Sequence, residues 1–125
     1  MRNVMRAVIG LVGLFNIAIG LAFLVAPLKP AAAFFLSPIG TQGMATLRAD
    51  FPGFFIGASV FALVGAWRGE ARPLQVPLVM LSLALFGRVI SIPVDGMAPT
   101  AIQPMTVEAV MIGLLLLAYR RFSAR

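Results

Sequence analysis

The sequence predicts an all-α fold: an integral membrane four-helix bundle with a short interfacial helix between the first and second spans. Three observations lead there. Hydrophobic residues make up 61% of the 125-residue chain and charged residues only 11%, against about 45–50% and 25% in soluble domains. The excess gathers in four blocks, each approaching the roughly 20 apolar residues that cross a bilayer. Arg2, Arg6, Arg68, Arg72, Arg120, Arg121 and Arg125 all flank those blocks on one side once the chain is threaded four times.

The first span is predicted over 5–27. "MRNVMR" followed by "AVIGLVGLFNIAIGLAFLVAP" has the basic and apolar regions of a signal peptide. Its apolar stretch, about 22 residues, is nevertheless longer than a signal core of roughly 7–15, which favours a retained span. Pro27 and Pro30 break the helix. The connection "LKPAAAFFLSPIGTQGMATLRA" is too polar and too interrupted by Pro and Gly to cross, while "AAAFFL" is too apolar to float. It is expected to lie at the interface as a short helix.

The second span is predicted over 50–67, an earlier start being left open, with "DFPG" reading as an N-cap and first-turn proline at Asp50 and Pro52. Trp67 ends it as an interfacial anchor. "RGEARP" is a polar turn, and the third span, 74–92, stops at Pro93. Asp95 and Gly96 mark a turn in "PVDGMAPTAIQP". The fourth span covers 104–119. Spans two and four are short for a core of about 30 Å, so they are expected to stand nearly upright or thin the bilayer.

Cytoplasmic loops carry an excess of Arg and Lys. The arginine distribution therefore predicts both termini in the cytoplasm. The net charge of +6 is explained by that topology, and no nucleic-acid partner is expected. With no Cys and no His, disulfides, thiolate chemistry and the commonest metal ligand are excluded. Neither a metal nor another cofactor is expected.

Arg48, Asp50, Arg88 and Glu108 lie inside or at the edges of the spans. Threading places Arg88 and Glu108 at roughly 6–7 Å below the outer boundary, counted from Pro93 and Pro104 at 1.5 Å per residue. Arg48 and Asp50 open span two from the same side. One charge at mid-membrane costs roughly 2.5–3.5 kcal/mol on insertion scales. Pairing offsets that cost, so Arg88 is expected to bond Glu108, with Asp95 a second candidate, and Arg48 to bond Asp50 or Glu108. The cluster reads either as a buried polar lock that fixes register or as the lining of an outward pocket. A pocket would open above Arg88 and be lidded in part by residues 31–39.

Asn16, Ser59 and Ser82 are expected to hydrogen-bond between helices near mid-depth. Gly53 and Gly57 form a GxxxG pattern, continued by Ala58, Ala62 and Ala66 at four-residue spacing. That pattern predicts helix packing, either within the bundle or across a homodimer face. The ten Phe and seven Met read as lipid-facing surface and packing, or alternatively as a groove for a quinone or isoprenoid.

"RADFPGFFIGASVFALVGAW", "FGRVISIPVDGMAP" and the following Glu108 resemble the recurring elements of small bacterial four-span proteins catalogued as domain of unknown function 4345. They are more distantly similar to DoxX-like membrane proteins. The resemblance covers nearly the whole chain and rests on Arg48, Arg88, Asp95, Gly96 and Glu108. Pro52 stands where that family places the first of two paired glycines. The resemblance implies a four-helix bundle without an established activity.

Three functions remain in view from the sequence. The first is a binding or accessory membrane protein holding a lipid, quinone or partner subunit at the charged cluster, as a homodimer or within a larger complex. The second is a small dimeric transporter, which would need a carboxylate accessible from both sides near mid-membrane. The third is an intramembrane isomerase-type enzyme using Glu108 or Asp50 as general base beside an arginine electrophile.

Overall fold

The computed structural model describes residues 1–124, so Arg125, counted above in the charge bias, lies outside the described residues. Among the described residues five α-helices follow one another: α1 (Arg2–Val25), α2 (Leu28–Ala33), α3 (Gly40–Arg68), α4 (Gln75–Asp95) and α5 (Ile102–Ser123). A 3-10 turn, Arg72–Leu74, leads into α4. Four of these elements are long and apolar enough to cross a membrane: Arg2–Val25, Gly40–Arg68, Arg72–Asp95 and Ile102–Ser123.

The helices outrun the predicted spans. The second begins at Gly40, ten residues before the expected Asp50, because hydropathy decides what enters lipid but does not stop a helix in "GTQGMATLRA". At 29 residues α3 is about 43 Å long, so it is not short for the bilayer. Nor is α5, whose 22 residues make about 33 Å. The third span runs past Pro93 to Asp95. Ile39, not Asp50, is the N-cap residue of α3, and Pro52 is a buried interior residue of that helix.

Packing starts from one stripe on α1. Met5, Ile9, Gly13, Asn16, Gly20 and Phe23 are its buried residues, at the three- and four-residue spacing of a single helix face. That stripe meets α3, the closest pairing in the bundle. Glycine makes the approach possible. A Cβ on Gly13 would lie 2.8 Å from Leu63 Cδ2, and one on Gly20 would lie 2.5 Å from Ile56 Cγ1. α5 packs on α1 and α4, and α4 on α3, closing an up-down-up-down bundle.

Two cores fill it. At the end that carries the termini, Met5, Ile9, Ala62, Ala66, Leu74, Leu81, Met111, Leu115, Ala118 and Phe122 form the larger cluster. At the other end Phe23 stacks on Phe51 at 4.7 Å and Phe34 tilts against it at 5.7 Å. Ala31, fully buried, joins them. These contacts fasten α2 onto α1 and α3. α4 buries only Pro77 and Leu81, and α5 buries nothing before Met111.

Arginines close the α1–α3 pair at both ends. Arg6 Nε donates to the Ala66 carbonyl at 2.8 Å, its Nη2 donates to Trp67 O, and Arg2 Nη2 donates to Gly69 O. Arg48 Nη1 on α3 donates to Leu24 O of α1 at 2.6 Å. α1 thus supplies two cations and α3 one to the carbonyls at the other's C-terminal end, where unpaired oxygens and the helix dipole favour positive charge. Gly69 takes the left-handed conformation (φ 65°), and Glu70 N–H donates to Gly65 O, a C-cap that glycine adopts without steric cost.

Candidate functional site

The only ion pair among the described residues joins Arg88 to Glu108, with Nε donating to Oε1 at 2.8 Å. α4 and α5 run antiparallel, and register brings the two residues level. Arg88 lies seven residues before the end of α4 and Glu108 six after the start of α5. They are therefore about 10.5 Å and about 9 Å from the helix ends at 1.5 Å per residue. This is deeper than Pro93 and Pro104 implied, because both helices extend past those prolines.

The two partners differ in surroundings. The Glu108 side chain is 12% exposed and the Arg88 side chain 37%. An arginine carries five N–H donors, and Arg88 uses one of them in the bond to Glu108. Its neighbours Val89 and Ile90 are exposed and apolar, as is Phe86. A permanent cation therefore lies on the apolar surface of a span with donors left over. The arrangement can accept an anionic or carbonyl oxygen beside the carboxylate.

The other predicted members do not join this pair. Arg48 is taken by Leu24 O, so the expected bonds to Asp50 or Glu108 do not form. A carbonyl at the C-terminal end of α1 takes it instead; Pro27 marks that end, but nothing in the residue pattern says which side chain reaches it. Asp50 is exposed on α3 and makes no ion pair among the described residues. Asp95 accepts a hydrogen bond from Ser91 Oγ at 2.8 Å, one turn earlier on its own helix, rather than pairing with Arg88. Four charges meeting in one layer thus reduce to two. Segment 31–39 does not roof Arg88: Ala31 and Phe34 belong to the Phe23 cluster on α1 and α3.

The uncharged polar residues divide. Asn16 bonds across the bundle, donating Nδ2 to Met111 Sδ at 3.4 Å and to Val12 O at 2.8 Å. Ser59 is buried but donates to Phe55 O of its own helix at 2.6 Å, so it makes no interhelical bond. Ser82 is exposed on α4 and bonds to nothing among the described residues. Gly53 and Gly57 do not pack within the bundle, since a Cβ at either would meet no atom within 4 Å. Ala58, Ala62 and Ala66 are buried in the bundle.

Comparison with known families completes the picture. The family model described as a domain of unknown function (DUF4345) matches residues 4–119, nearly the whole chain, and the chain belongs to that family. No curated protein and no solved structure matches it.

Proposed function

We propose that this DUF4345 protein is a binding or accessory protein of a bacterial cytoplasmic membrane. Its Arg88–Glu108 pair holds an oxygen-bearing group: the headgroup of a lipid, the carbonyl of a quinone, or a polar group of a partner subunit. The carrying observation is the partly used guanidinium of Arg88, ion-paired on one nitrogen and 37% exposed on an apolar helix. Ionisable residues at membrane depth are costly, and they persist where a partner offsets the cost or a function needs them. Glu108 partners one nitrogen, and the ligand's oxygen takes donors on the others. The ion pair argues against a transporter's shuttling carboxylate, because it holds Glu108 to a permanent cation near one face.

The test is mild-detergent extraction followed by mass spectrometry of bound small molecules and co-purifying chains. Wild type is expected to retain a component that Arg88→Gln loses at least tenfold, the effect of about 1.4 kcal/mol, while eluting as the same species. Identical complements in both proteins would refute the reading.

Both termini face the cytoplasm in this proposal, with α2 at the outer interface. Support comes from the basic residues: Arg2 and Arg6 reach the carbonyls of α3 beside Arg68, and Arg2 lies 5.3 Å from the Phe122 ring beside Arg120 and Arg121. The chain lacks cysteine, so single reporters are clean. In intact cells a membrane-impermeant maleimide is expected to label Ser37→Cys, and to label Ser123→Cys only after lysis. The reverse pattern would invert the topology.

A further inference from the structure

A groove lies at the opposite end of the bundle from Arg88. Between α1 and α3 runs an open groove of about 460 Å³, lined by Asn3, Arg6, Ala7, Gly10, Leu63, Ala66 and Trp67. Its volume falls within the roughly 300–1,000 Å³ of small-molecule sites. We propose that this groove binds one anionic phospholipid from the leaflet on the side of the termini, with the phosphate at Arg6 and Asn3 and an acyl chain along Gly10 and Leu63.

The polarity of the groove is graded along the helix axes. Asn3, Arg6 and Trp67 stand at its mouth, in the first turns of α1 and the last turn of α3. Ala7, Gly10 and Leu63 lie deeper and offer carbon only. Gly10 is seven residues along from Asn3, about 10 Å toward the bilayer centre. A phospholipid has the same sequence of polarity over that depth. Trp67 is 81% exposed, and tryptophan favours the headgroup level.

The groove exists because Gly10 leaves it open. Gly13 and Gly20 are filled by Leu63 and Ile56, but a Cβ on Gly10 would meet nothing within 4 Å. Arg6 is fixed rather than mobile: Nε and Nη2 are bound to the carbonyls of Ala66 and Trp67. That uses two of its five donors, and Nη1 remains for a phosphate oxygen. Charge selects an anion. Arg2, Arg6, Arg68 and Arg72 stand at this end against Glu70 alone, and each arginine near a surface favours an anionic lipid by about 1 kcal/mol, close to fivefold.

Trp67 is the only tryptophan, so it reports on the groove directly. The protein is reconstituted in bilayers containing small fractions of phosphatidylglycerol or phosphatidylcholine with brominated acyl chains, and quenching of Trp67 is followed. Wild type is expected to give an apparent preference of about fivefold for phosphatidylglycerol. Gly10→Leu fills the floor and leaves the Arg6 bonds in place, so its two curves are expected to coincide. Ala7→Leu, a second filling variant, should do the same. Coincident curves in wild type would overturn the site, because Trp67 would then sense only bulk lipid. A preference that survives both variants would place the anion on the arginine surface outside the groove and overturn it too. Absence of quenching by either lipid would mean that protein covers Trp67, which also refutes the assignment.

Discussion

Replacing Glu108 with leucine is expected to cost about 2–3 kcal/mol of stability, and replacing Arg88 with leucine in the same chain to return most of that loss. The single change strands a cation on an apolar helix. The double change removes both charges and their desolvation together. Breaking a fully buried pair costs about 3–5 kcal/mol. The smaller figure applies here because the Arg88 side chain is 37% exposed. Glu108→Gln should fall between wild type and leucine, since its amide oxygen can still accept the Nε–H. Equilibrium unfolding in mixed micelles checks all three variants. Equal losses in the single and double leucine variants would show that the contact at 2.8 Å is geometrically present but energetically idle.

Gly20→Val is expected to lower stability by about 3 kcal/mol, through forced separation of α1 and α3. Even Gly20→Ala places a Cβ 2.5 Å from Ile56 Cγ1 and 3.3 Å from Ile56 N. The side chain of Ile56 can turn, but its backbone nitrogen moves only with the helix. Alanine should therefore cost about 1–2 kcal/mol net, after its helix-propensity gain of roughly 1 kcal/mol over glycine is subtracted. Gly53→Ala is the control. Nothing lies within 4 Å of its Cβ, so it keeps the propensity gain and should be neutral or stabilising by up to about 1 kcal/mol. Unfolding midpoints for the pair separate the two surfaces. Equal effects at Gly20 and Gly53 would mean that the helices part more easily than the contacts imply.

The contrast between those glycines shows where the sequence is legible. Hydropathy gives the four spans because the need to shield backbone and apolar surface acts on whole segments of about 20 residues. Antiparallel register gives the Arg88–Glu108 pair because depth follows from counting residues along a helix. The first property does not depend on which helix neighbours which, and the second needs only that consecutive spans pack side by side. Gly13, Gly20, Gly53 and Gly57 look alike in the chain, yet two are packed against α3 side chains and two face away from the bundle. Which glycine is covered depends on the rotation of each helix, set by all its neighbours at once.

Arg48 fails for a related reason. Its acceptor is a backbone carbonyl at the end of α1, and every residue has a carbonyl, so no residue type marks it. The start of α3 was hidden by "DFPG", which has the composition of a helix N-terminus. Pro52 is instead buried inside a helix that begins twelve residues earlier at Gly40. A proline inside a helix removes one hydrogen bond and crowds the preceding turn, and neighbouring helices tolerate it in membrane proteins.

The arginine bonds at the two ends of α1 and α3 bear on how the chain is made. Arg2, Arg6, Leu24, Arg48, Ala66, Trp67 and Gly69 all fall within the first 69 residues, as do Gly13 and Gly20 with Leu63 and Ile56. These fastenings of the hairpin are therefore all synthesised before α4 begins at Gln75. N-terminal units form first during translation, so biogenesis can proceed hairpin by hairpin, the first serving as the template on which the nascent second one docks.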